Sequence, residues 1–213
     1  MMNKTLSAQQ SATQRKKGFT LTEIAIVLGI MGLILGAIWT AASSVYANNR
    51  QQSASTEVLQ VVQATKNLYA TQANFGASGT QLTAGVANGG NLPASYVNGS
   101  TILHPWNGTS GISAGHGVIY VDSDIATSAG DSLTVTLANV PTTACIALLT
   151  NLSGAPGYTG NAVTAVGATS AALTEPAAAS GITLSTAAVD AGTASGKCST
   201  QKVNNLKIQF LKN

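Results

Sequence analysis

Charge is what this chain of 213 residues has least of: Asp, Glu, Lys and Arg together make up 8% of it. A typical soluble domain carries about a quarter. Disorder by charge repulsion is excluded, because that state needs high net charge and few apolar residues, and here 45% of residues are hydrophobic. Aromatic residues are also sparse, at 5%. The chain therefore has no basic stripe interleaved with aromatics, and generic nucleic-acid binding has little support. Proline is absent before Pro93, so nothing in the first ninety residues forbids a long helix. Only two histidines occur, His104 and His116, twelve apart in glycine-rich surroundings. That is not the short spacing of a zinc site. No internal repeat is visible.

The net charge of +3 is unevenly placed. Lys4, Arg15, Lys16 and Lys17 all precede Gly18. From Phe19 onward, six Lys or Arg face seven Asp or Glu. The basic character thus belongs to the first eighteen residues. The C-terminal Lys197, Lys202, Lys207 and Lys212 read as a solvated strand face. Gly, Ala, Ser, Thr and Asn fill much of the remainder, a polar but uncharged surface suited to an extracellular protein packed against copies of itself. The cysteines number two, Cys145 and Cys198. An even count in an exported chain favours a disulfide, two separate buried thiols being the alternative. Closing a loop of about 50 residues would stabilise the fold by roughly 4 kcal/mol on the chain-entropy account.

After Arg15-Lys16-Lys17 comes a long apolar run, and Ile24 to Ala42 carries no charge. This is about the length that crosses a bilayer as a helix. An ordinary secretory signal competes with that reading, with Thr40-Ala41-Ala42 as a small-residue cleavage site. The run exceeds a usual signal core, however, and Glu23 stands inside it. A carboxylate at mid-bilayer costs roughly 2.5–3.5 kcal/mol on insertion scales and usually has a partner. Beyond the run, Val58, Leu59, Val61, Val62, Leu68 and Tyr69 form an apolar stripe at helical spacing, and Asn74-Phe75-Gly76 supplies a stop. One helix over 19–75 would be roughly 85 Å long. Its first half is apolar all round and needs lipid or other helices. Its second half needs a globular partner.

Residues 76–100 read as loop. Strands are expected at Gly117–Val121, Leu133–Leu137, Ile182–Val189 and Leu206–Leu211, with a short helix opened by Pro141 over Thr142–Leu149. Residues 153–180 show no clear period. The fold class is α+β, a long helix packed by its stripe on an antiparallel sheet. Asp122, Asp124 and Asp131 hint at oxygen ligands without the spacing of a calcium loop. Asn107-Gly108-Thr109 fits a glycosylation pattern by chance alone, Trp106 reads as a loop anchor, and no acid–base or nucleophile constellation is convincing. The chain reads as a non-enzyme with no cofactor and no resident metal.

The stretch Lys16-Lys17-Gly18-Phe19-Thr20-Leu21-Thr22-Glu23 resembles the processing motif of type IV prepilins. The resemblance implies cleavage by prepilin peptidase after Gly18 and N-methylation of Phe19. It also implies that Glu23, fifth in the mature chain, is an assembly contact. It further implies a cleaved leader over 1–18, a pilin helix over 19–75 whose part 19–42 forms the membrane and filament core, and a globular head over 76–213 with a C-terminal disulfide-bounded region. The longer leader and the run Asn139-Val140-Pro141, with Ala144-Cys145 and Leu148 after it, resemble type IVb pilins. Phe19 and the missing mid-helix proline depart from simple subclass patterns. The implied partners are the chain itself as a homopolymer, prepilin peptidase, the inner-membrane assembly machinery and the inner membrane before assembly, with no specific nucleic acid. The implied location is the bacterial inner membrane, then an extracellular pilus. A minor pilin, a type II secretion pseudopilin and a secreted or membrane-anchored domain that never assembles are the rivals. Gly29, Gly32 and Gly36 favour close helix packing, the alternative being a helix loosened for extension.

Overall fold

A computed structural model of the chain describes residues 18–106, 117–125, 129–154, 163–169, 182, 184–198 and 204–212. The leader basic run, His116, the Asn107-Gly108-Thr109 tripeptide and Lys202 lie outside the described residues. The chain divides into two compact units, Met1–Ser44 and Val45–Asn213.

Helix α1 spans Leu21–Leu68, 48 residues without a proline. It starts where Thr20 accepts the free amides of Glu23 and Ile24 on its carbonyl, at 3.1 and 3.2 Å. It ends seven residues before the expected stop. Phe75 is instead drawn into the core, and its amide donates to the carbonyl of Gly130 at 2.9 Å. The first unit holds the part of α1 that is apolar on every side and exposed apart from half-buried Ala42. In the second unit α1 buries Ala54, Glu57, Val58, Val61, Val62, Ala64 and Thr65, one face at helical spacing.

The remaining elements are α2 (Thr83–Asn88), β1 (Val97–Asn98), β2 (Thr101–Leu103), β3 (Val118–Ile125), β4 (Ala129–Val140), α3 (Thr142–Gly154), β5 (Val163–Thr169), α4 (Ala191–Lys197) and β6 (Asn204–Leu211). The strands form one antiparallel sheet in the order β1-β2-β3-β4-β6-β5. The last strand is therefore inserted between β4 and β5. Because side chains alternate along a strand, the register assigns Ile119, Val121, Leu133, Val135, Leu137, Leu206, Ile208 and Phe210 to one face. These residues join the α1 stripe in a single core. Burying each such side chain contributes about 1.5–3 kcal/mol.

Three expectations are corrected. The region 76–100 is not all loop: it holds α2 and the start of the sheet, and residues 79–83 run against β3 through Gly79 and Leu82. No strand forms over Ile182–Val189 among the described residues, where Ser185 makes one isolated bridge to Val166. The strand in that part of the chain is β5, whose VTAVGAT is too poor in large side chains to show a clear alternation. The lysine reading also changes at Lys207. It is buried at 7% exposure and pairs with Asp124 at 3.1 Å.

Candidate assembly site

Gly18, Phe19 and Thr20 lie before the first helical residue. The helix thus begins two residues beyond the Gly18–Phe19 bond, and that bond is in exposed, non-helical chain. Phe19 is 80% exposed. Glu23 sits in the first turn of α1, where the unpaired amides and the helix dipole favour a negative group. Its amide also lies 3.4 Å from the Thr20 hydroxyl. Phe19 lies two residues before the helix and Glu23 is the third residue within it. No atom lies within 4 Å of where a Cβ would project from Gly29, Gly32 or Gly36. Among the described residues nothing accounts for small residues there.

In the second unit, Cys145 of α3 and Cys198, the residue after α4, form a disulfide with Cα atoms 6.0 Å apart. Both are fully buried. Pro141 opens α3 by accepting the amide of Cys145 at 2.8 Å. Asn139 before it takes a left-handed backbone, φ 63°, and its amide donates to the Asn205 side chain at 3.0 Å. Asp190 caps α4 by accepting the Thr193 amide at 2.9 Å. The fold thus brings the two cysteines together from elements far apart in sequence.

His104 is not a metal ligand in this arrangement. Its Nε2 donates to the Ala138 carbonyl at 2.8 Å, its Nδ1 faces the Trp106 amide at 3.3 Å, and its ring meets Trp106 edge-on. Burial pushes its pKa down to about 4 against the help of the Ala138 bond. Trp106 is buried as a loop anchor. Among the described residues no three His, Cys, Asp or Glu side chains gather as a metal-ligand set.

Glu57 is the residue that reading the sequence passed over. It is 6% exposed in the core face of α1, and its Oε2 has no hydrogen-bond partner. Burial pushes its carboxyl up to about 7. The spacing carried the signal: Glu57 is three residues after Ala54 and four before Val61, inside the buried stripe.

An exposed apolar half-helix with an acid in its first turn, continuous with an amphipathic half packed on an antiparallel sheet, defines the class of type IV pilin-like proteins. The model of the prokaryotic N-terminal methylation motif matches residues 13–39. The family model described as PilS N terminal matches residues 48–211, and the chain belongs to that family. No curated protein matches the chain. Among solved structures, TcpA, a type IV pilin from Vibrio cholerae El Tor biotype, is similar with a TM-score of 0.50 and 15% identity, over 76% of this chain and 98% of that one. A type IV b pilin from Salmonella typhi gives a TM-score of 0.44 and 21% identity, over 73% and 97%. The motif and the apolar helix fit an inner-membrane prepilin that becomes a surface pilus.

Proposed function

We propose that the chain is a prepilin, cut between Gly18 and Phe19 and N-methylated at Phe19, that polymerises into a type IVb-like pilus. The leader is 1–18, the segment carrying the pilin helix is 19–75, with α1 over Leu21–Leu68, and the head is 76–213. The observation that carries this reading is the first half of α1, apolar on all sides and exposed, with one acid in its first turn. Such a surface is soluble neither alone nor as a monomer in water. It is satisfied by lipid before assembly and by copies of itself afterwards.

Glu23 gives that exchange its register. In the filament its carboxylate meets the free α-amino group of Phe19 in a neighbouring subunit. Truncating one partner of such a buried pair typically costs about 3–5 kcal/mol, and the loss recurs at every subunit added. The glycines at 29, 32 and 36 let neighbouring helices approach closely. The partners are copies of the chain, prepilin peptidase and the inner-membrane assembly machinery.

The test has two readouts. N-terminal mass spectrometry of the surface form should begin at methylated Phe19. Electron microscopy of cells whose sole copy is Glu23→Val should show no filaments, although the protein is processed, membrane-inserted and folded. A mature chain beginning at Ser43 would establish ordinary secretion instead, and normal pili on the Glu23→Val cells would remove Glu23 from assembly.

A further inference from the structure

The second face of the sheet carries a charge cluster that neither the helix nor the disulfide uses. The register sets Tyr120, Thr136, Lys207 and Gly167 in one row across β3, β4, β6 and β5. Asp122, Thr134, Gln209 and Ala165 form the next row, and Asp124, Ser132 and Leu211 a third. The face is polar, yet it is withdrawn from water. Asp122 is 1% exposed, and Ser132, Thr134 and Thr136 are buried beside it.

Lys207 starts in the first row on β6 and ends at the third row on β3. Its Nζ lies 3.1 Å from Oδ2 of Asp124, so its side chain spans the intervening strand β4. Asp122 stands in the middle row between the two. Its Oδ1 is buried without a hydrogen-bond partner, as is Oγ1 of Thr136. Burial pushes the Asp122 carboxyl up to about 6, the Lys207 charge opposes that rise, and the Asp124 charge adds to it. The buried amine of Lys207, the half-buried carboxylate of Asp124 and the buried carboxyl of Asp122 thus lie in successive rows of one sheet face.

That arrangement favours a condensation. An ion pair with one buried partner surrenders part of its hydration, which its mutual attraction only partly returns, and a neutral amide in the same place does not carry that cost. Reacting groups fixed in contact behave as though present at an effective concentration of about 10⁵ M or more.

We propose that Lys207 and Asp124 join through an intramolecular isopeptide bond, with Asp122 as the acid–base group that moves the protons. Asp122 gives its proton to the Asp124 carboxylate and takes one from the Lys207 ammonium. The freed Nζ lone pair attacks Cγ of Asp124, and a C–N bond forms as the carbonyl π electrons move onto oxygen. The C–OH bond then breaks. Its hydroxyl takes the Asp122 proton and leaves as water, while Asp122 recovers the surplus proton from Nζ. One ammonium and one carboxylate become one amide and one water, with no oxidant, reductant or cofactor. The product staples β3 to β6 over β4, the strand both of them flank.

The experiment is mass spectrometry of the full chain purified from membranes and reduced, combined with peptide mapping. The expected intact mass lies one water below the sequence mass of the form present, whether leader-bearing or processed. Pepsin should release a branched peptide joining Lys207 to Asp124, and trypsin should not cut after Lys207. Lys207→Arg keeps the positive charge without the nucleophile, and Asp122→Asn keeps the shape without the transferable proton. Both should show the full mass, with circular dichroism confirming that each is folded. The wild-type measurement decides the matter even where a variant fails to fold. A wild-type chain at full mass with trypsin cleavage after Lys207 overturns the proposal. So does a water loss confined to a linear peptide, which would mark a cyclised aspartate.

Discussion

Replacing Gly130 with alanine should destabilise the head far more than the same replacement at Gly99. Both glycines have left-handed backbones, with φ of +75° and +61°. An L-residue in that conformation costs roughly 1–2 kcal/mol. At Gly99 the cost ends there, because nothing lies within 4 Å of a new Cβ. At Gly130 the new Cβ would fall 2.1 Å from the Gly76 carbonyl oxygen and 3.1 Å from Cβ of Asn74. Backbone must move to relieve this. The segment that moves carries the Phe75 amide, which donates to Gly130 at 2.9 Å, and the buried Phe75 ring. Stranding a buried donor costs about 1–3 kcal/mol, so with the backbone cost the total at Gly130 is about 2–5 kcal/mol. For a head of this size each kcal/mol lowers Tm by about 2–4 °C. Gly130→Ala should therefore melt on the order of 10 °C below wild type, and Gly99→Ala only a few degrees below. Near-ultraviolet circular dichroism of the full chain in detergent reads both. Equal shifts for the two variants would refute the argument, since they would mean that the approach of Gly130 to Gly76 is not rigid.

The disulfide closes a loop of 53 residues, and Cys198→Ser should lower head stability by about 2–5 kcal/mol in urea unfolding. His104 has a folded pKa of about 4 against an ordinary 6.5. The unfolded chain therefore binds the extra proton, and this contribution is complete above pH 6.5 and lost as pH falls toward 4, by about 3 kcal/mol in all. Glu57 acts in the opposite sense. Its raised folded pKa of about 7 means the folded state holds the proton, so its contribution is complete below pH 4.5 and lost as pH rises through 7. Glu57→Gln should thus steepen the acid-side loss of stability between pH 6.5 and 4.5, and an unchanged slope would show that Glu57 is not buried as described. A fragment beginning at Val45 should fold as a monomer by sedimentation and never form filaments.

The parts of the fold legible in the sequence are those with strong contrast. The run from Ile24 to Ala42 and the stripe through Val58, Val61 and Val62 require a helix of two characters. The alternation in Leu133–Leu137 and Leu206–Leu211 requires half-buried strands. Strand β5 was not legible, because Ala165, Gly167 and Ala168 are accepted in it through contact with β6 rather than through their own propensity. Lys207 reads as solvated because its partner Asp124 lies 83 positions away in the chain, a pairing that only the sheet order creates. The same holds for His104, whose acceptor at Ala138 is brought in by tertiary structure. Glu23 is the reverse case. The sequence motif singles it out, while the single chain supplies only its position in the first turn of α1.

The place of β6 in the sheet has a consequence for export. Strand β5 is made before β6 but has its sheet partner only in β6, and β4 has one open flank until then. A head emerging on the far side of a membrane cannot close its sheet while Asn204–Leu211 are still being delivered. Cys198 arrives only a few residues earlier, so the covalent clasp and the closing strand come at the same late moment. Until then the edges of β4 and β5 are open to pairing with other chains, and pairings so distant in sequence form slowly. Without Asn204–Leu211, β5 loses the strand it pairs with and β4 keeps an open edge, so the closing of the sheet depends on this one late strand.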